Sequence, residues 1–209
     1  MSVRSYALVV VPDLGVGPES DPRSRILAAA VACIGRVGVA KTTMDDAARE
    51  AGVGRATVYR HFPGGRDQLI GEVITWEVGR FFTRLGLEVD DAPDFATRFE
   101  RALLFAHRAV EEHEILQKVL ETEPERLLPQ LTESAPLVHA VLRDYLARAL
   151  RHEALRPGVE IEAAADWLAR MALSFIIAQG QWDLTDPVSV RHLVRDQLLV
   201  GVLADPDAL

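Results

Sequence analysis

Residues 42–62 read T-T-M-D-D-A-A-R-E-A-G-V-G-R-A-T-V-Y-R-H-F, and the fold follows from them. Thr43 suits a helix N-cap, where its hydroxyl accepts from an orphan backbone N–H, and Asp45 and Asp46 in the first turn favour the positive end of a helix. Ala47, Ala48 and Ala51 are small enough for close packing against a second helix. Gly52 supplies the left-handed residue that ends the first helix, and Val53 is the apolar pin after it. Gly54 then opens a second short helix carrying Arg55, Thr57, Tyr59, Arg60 and His61, with Val58 and Phe62 turned inward. The spacing predicts a helix-turn-helix, whose second helix fits the DNA major groove.

The side chains around that second helix have the chemistry a nucleic acid would use. Arg55 and Arg60 are candidates for guanine edges, where a bidentate contact is worth about 1–3 kcal/mol; solvated or phosphate-bound arginine is the alternative for each. Ala56 permits close approach and contact with a thymine methyl. Thr43 and Thr57 offer hydroxyls to phosphate or base, although Thr43 also serves as a cap. Lys41 and His61 are candidates for the DNA backbone.

The charge balance agrees with a basic head on an acidic body. The net charge of the 209 residues is −8, yet residues 21–70 hold eight Lys/Arg against five Asp/Glu, and the acidic excess lies beyond them. A local balance of +3 is modest, and it places cations where phosphate neutralisation would use them. The single cysteine, Cys33, excludes an intrachain disulfide framework and a Cys-rich zinc site, and its apolar neighbours read as core.

Outward from the central run, every strong pattern is helical. Asp21-Pro22 starts a first helix with Ile26, Leu27, Ala30, Val31 and Ile34 on one face. After Pro63-Gly64-Gly65, Arg66 and Asp67 open a long fourth helix to about residue 84. Pro93-Asp94 starts a fifth, to about residue 112. A short segment follows at 115–120, then a short helix over 122–131 and another from Ser134 to before Pro157. An apolar helix spans 161–181, and Asp186-Pro187 begins a last one through about residue 203. The expected class is all-α: a three-helix head with a helix-turn-helix, followed by a larger helical ligand-binding and dimerisation domain. The boundaries read as a flexible arm at 1–20, a head at 21–65 and the helical domain at 66–209. Two strongly apolar helices at the end suggest a subunit interface, and a two-fold axis would make them a four-helix bundle.

Other classes fit poorly. The apolar run from Tyr6 ends at Pro12, too short for a secretion signal, and no later run is long enough for a bilayer, so the expected place is the cytosol with no membrane partner. Gly15-Val16-Gly17 lacks the third glycine and the βαβ unit of a dinucleotide loop. None of the six histidines follows a Glu-x-x-His or His-Glu-x-x-His pattern, and no nucleophile elbow or phosphate loop occurs. No catalytic residue, metal site or cofactor is expected.

With these residues laid out, residues 21–70 resemble the DNA-binding head of the tetracycline-repressor (TetR) family of bacterial regulators. The likeness is carried by Gly38, Thr42-Thr43, Ala47-Ala48, Ala51-Gly52-Val53, Thr57-Val58-Tyr59-Arg60-His61-Phe62, Arg66-Asp67 and Leu69, about a quarter of the chain. It implies a homodimeric repressor of a palindromic operator, released when a small molecule enters the C-terminal domain and the fourth helix swings. Tyr59 matches the position whose hydroxyl meets backbone phosphate. Trp76, Phe99, Phe105, Trp167 and Phe175 are the aromatics that would line an apolar effector cavity, with core packing as the alternative for each. Three departures stand out: Gly54 replaces the usual serine cap, Ala47 replaces a larger aliphatic, and Pro63-Gly64-Gly65-Arg66 is one residue longer than the usual link. Arg66 therefore either takes the place of a phosphate-binding lysine or does not. Two other readings stay open: a helical carrier or interaction protein whose head has lost DNA binding, and a repressor without an inducer.

Overall fold

A computed structural model describes residues 21–204, and its regular structure is helical throughout. The arm at residues 1–20 lies outside the described residues. Among the described residues nine α-helices follow in order: α1 Pro22–Val37, α2 Met44–Ala51, α3 Arg55–His61, α4 Gly65–Val89, α5 Phe95–Glu111, α6 Glu114–Thr122, α7 Pro124–Leu150, α8 Ile161–Ile177 and α9 Pro187–His192. The last continues as a π-helical turn, Leu193–Leu198. One isolated bridge, Leu155 with Leu203, is the β pairing among these residues. No helix of the described residues is long and apolar enough to cross a membrane.

Local chemistry explains most boundaries. The Asp21 carboxylate accepts from Ser24 N–H at 3.2 Å and Pro22 occupies the first helical position, so α1 starts where the sequence predicts. α6 is capped by His113, whose Nδ1 accepts from Leu116 N–H at 3.2 Å. The two short helices expected at 122–131 and from 134 are one continuous helix, α7, with Pro129 and Pro136 inside it. A proline deletes one i→i−4 bond and crowds the preceding turn. Here the helix persists because Leu127, Val141, Leu146 and Leu150 along it are buried. The expected final helix changes pitch instead: Leu199 N–H reaches Val194 C=O at 2.8 Å, an i→i−5 bond.

The described residues divide into two compact units. One holds residues 21–82 and 111–136, the other residues 83–110 and 137–204. The first has a core of Ile26, Leu27, Ala30, Met44, Ala47, Val58, Phe62, Leu69 and Trp76, joined by Val119 of α6 and Leu127 of α7. The second centres on Phe95, Phe99, Leu103, Leu146, Leu150, Leu168, Leu193 and Leu199. Cys33 is buried in the first unit, and burial raises its thiol pKa above the ordinary value, as the sequence environment suggests for an inert core residue.

Candidate nucleic-acid interface

α2 and α3 are both too short to be stable alone, so their caps and their buried faces hold them in place. Thr43 and Asp46 form a reciprocal capping box. Thr43 Oγ1 accepts from Asp46 N–H at 3.1 Å, and the Asp46 carboxylate accepts from Thr43 N–H at 3.3 Å and from the Thr43 hydroxyl at 2.6 Å. The Thr43 hydroxyl lowers the Asp46 pKa below the ordinary carboxylate value. At the other end, Gly52 sits at φ 63°, Val53 N–H reaches Ala48 C=O at 3.0 Å and Gly52 N–H reaches Arg49 C=O at 3.2 Å. That is a Schellman stop, which only a residue tolerating positive φ completes without strain. Gly54 caps α3 with no side-chain bond.

The inward side of α3 is Val58, with Phe62 following it, both fully buried. Burying two such side chains is worth about 1.5–3 kcal/mol each, more than any exposed ion pair nearby. The outward side presents Arg55, Ala56, Tyr59 and Arg60, positions one and four residues apart that share one helix face. Tyr59 is 41% exposed. Thr57 and His61 are half-buried at the flanks of that face, while Lys41 and Thr43 are exposed just before α2.

Most of the head's cations are already committed. Arg25 donates to Ala51 C=O at 2.6 Å, Arg36 pairs with Glu50 at 2.7 Å, Arg49 with Asp46 at 3.0 Å, and Arg23 with Glu72. Arg55 Nε meets Asp45 at 3.1 Å and its Nη2 donates to the Tyr59 hydroxyl at 3.4 Å. Among the described residues, the side chains of Lys41 and Arg60 take no hydrogen bond or ion pair, which leaves them available to phosphate or base.

The loop between α1 and α2, which carries Lys41, is wired at its backbone by distant charged groups. Arg66 donates from Nε to Thr42 C=O at 2.9 Å and from Nη2 to Val39 C=O, so its guanidinium holds the loop instead of standing free. Glu123 accepts from Ala40 N–H at 2.7 Å, and just before the loop Lys118 donates to Gly35 C=O in the last turn of α1 at 2.6 Å. Gly38 lies at φ 87°, and a Cβ there would fall 1.9 Å from Glu123 Oε1. Glu123, Lys118 and Asp45 make contacts here that their sequence positions do not announce. Nothing local marks the first two, which lie 83 residues beyond their partners; the first-turn position of Asp45 points in sequence only to the helix dipole.

The five aromatics considered for an effector do not all lie together. Phe99 is buried in the core of the second unit, stacked on Phe95 with ring centroids 6.1 Å apart, and Phe175 packs against that same core. Phe105 is half-buried there, with the Arg108 guanidinium 6.0 Å from its ring centroid. Trp76 belongs to the core of the first unit, beneath the Arg80 guanidinium, and its indole Nε1 is buried without a hydrogen-bond partner. Trp167, 38% exposed, lines a groove of about 370 Å³ with Val159, Ala163, Ala164 and Val202.

Residues 26–73 match the family model described as bacterial regulatory proteins, tetR family. Over 72 residues the chain is 36% identical to an uncharacterized HTH-type transcriptional regulator of Mycobacterium bovis, Mb2274c, covering 34% of this chain. The chain spans 38% of the length of that relative. A longer and weaker likeness, 24% over 187 residues and 87% of both chains, is to the nucleoid occlusion factor SlmA of a Marinomonas species. In fold, the chain is similar to SmeT of Stenotrophomonas maltophilia in complex with triclosan. That likeness has a TM-score of 0.56 and 24% identity, and covers 88% of this chain and 92% of SmeT.

Proposed function

We propose, from the premise that the chain belongs to the tetR family of bacterial regulatory proteins, that it is a homodimeric repressor whose α3 helices bind a palindromic DNA operator. The family is one of regulators and not of enzymes. The observation that carries the reading is the outward face of α3: Arg55, Ala56, Tyr59 and Arg60 side by side on a helix anchored by Val58 and Phe62, with Lys41 free beside it. Two such faces related by a two-fold axis suit half-sites one helical turn apart, about 34–36 Å.

In this reading residues 21–65 are the DNA-binding head and residues 66–209 the ligand-binding and dimerisation domain, at work in the bacterial cytosol. A dimer surface is supported by exposed apolar groups on α8, on α9 and in the turn after the final helical segment: Ile177 at 86% exposure, Trp167, Val188 and Val200. A small apolar effector is supported by the aromatic-rich second unit and by SmeT, a repressor of a multidrug efflux pump solved with triclosan. Such an effector need only prefer the DNA-incompetent state, by about 1–3 kcal/mol of coupling. Gly54 favours the other reading, an interaction protein without DNA binding, because it leaves the first turn of α3 without a side-chain cap.

The test is a selection from random duplexes with the full chain. Recovery of one palindromic motif, bound with an affinity that falls steeply as salt rises, is the expected result. Recovery of no motif overturns the repressor reading.

A further inference from the structure

Arg55 is the residue on which α2 and α3 converge. Its Nε meets the Asp45 carboxylate of α2 at 3.1 Å, its Nη2 donates to Tyr59 Oη at 3.4 Å, and its guanidinium carbon lies 5.4 Å from the Tyr59 ring centroid. Two contacts with Tyr59 therefore fold this arginine along α3, and the third ties it to α2. Arg60, on the same face, has no such restraint among the described residues. A side chain that reads guanine must extend from its helix and present two parallel N–H groups; Arg60 is placed to do so and Arg55 is not.

We propose that Asp45 and Arg55 are positioning residues for the Tyr59 hydroxyl, and that Arg55 orients a phosphate contact instead of reading a base. The proposal rests on α3 being the DNA-facing helix. Tyr59 Oη accepts from a cation, which leaves its own O–H to donate and polarises that bond, strengthening donation to a phosphate oxygen. Asp45 holds the cation in place from the neighbouring helix. Exposed ion pairs contribute little to folding stability, so the pair shows itself in binding. The sign is distinctive. A carboxylate beside DNA repels phosphate, so removing Asp45 should tighten binding to every duplex if it acted only through its charge.

The test compares wild type with Asp45→Asn, Arg55→Gln, Tyr59→Phe and the double variant Asp45→Asn/Tyr59→Phe. Fluorescence anisotropy would follow binding to the selected operator and to its single-base variants, and circular dichroism would confirm equal helix content. Asp45→Asn and Arg55→Gln should each weaken binding by about three- to tenfold. The loss should be equal on all duplexes, and Asp45→Asn should add nothing once Tyr59 is Phe. Tighter binding by Asp45→Asn overturns the proposal. So does loss of discrimination at one base pair in Arg55→Gln, or an undiminished Asp45 effect in the Tyr59→Phe background. Should wild type select no duplex, the DNA reading fails and this falls with it; failure among the variants alone leaves that reading standing.

Discussion

Gly54 is the residue where the sequence fits its pattern least well. Its φ of −68° and ψ of 146° suit any L-residue, and a Cβ there meets nothing within 4 Å. Gly54→Ser should therefore cap α3 and raise stability by a few tenths of a kcal/mol, about 0.3, in urea titration. Asp46 makes a second residue-scale prediction. Its pKa is lowered in the fold, first by the Thr43 hydroxyl, so its contribution is present above the ordinary aspartate value and lost as pH falls through the folded one. The melting-point gap between wild type and Asp46→Ala should accordingly close below about pH 3.9. Residues that act through their immediate neighbours were legible: Thr43, Gly52, Val58 and Phe62 take the cap, stop and core positions their spacing implies. Arg66 was not, because the same cation suits a phosphate or a carbonyl, and only the path of the chain puts Thr42 C=O within 2.9 Å of it.

At the scale of elements, the α1–α2 loop is held by two side chains from later in the chain, Arg66 at the start of α4 and Glu123 between α6 and α7. Gly38→Ala should cost more than about 1 kcal/mol in denaturant titration, since it combines a positive φ with a collision against Glu123. Adding Glu123→Ala should recover only the collision part, leaving the backbone strain. Full recovery would show that φ at Gly38 is unstrained for alanine. Helix existence was legible from apolar period and caps, and α7 shows why boundaries were not. Pro129 and Pro136 read as punctuation in one dimension, whereas side chains buried along the helix carry it through both. The π-turn at Leu193–Leu198 had no sequence signal; within it Arg195 meets Glu100 at 2.6 Å while Leu193, Val194 and Leu198 stay buried.

For the whole molecule, the apolar groups of α8 and the final segment give the proposed dimer its test. Trp167→Glu with Ile177→Glu should shift sedimentation toward the monomer and weaken operator binding more than tenfold, because a two-fold head loses its second half-site. The class of the protein was legible because some twenty consecutive residues agree on caps, turn and inward face. The effector was not, since core and cavity aromatics share one helical period: Phe99 and Phe175 meet in a single core while Trp76 lies in another. The central claim is that the outward face of α3 meets DNA. It is tested most directly by the affinity of the Tyr59→Phe/Arg60→Ala variant for the selected operator, with its dimer mass measured alongside. The account predicts an unchanged dimer and a loss of at least about tenfold, with a shallower dependence on salt. Wild-type affinity in that variant would contradict it and place a different face in the groove.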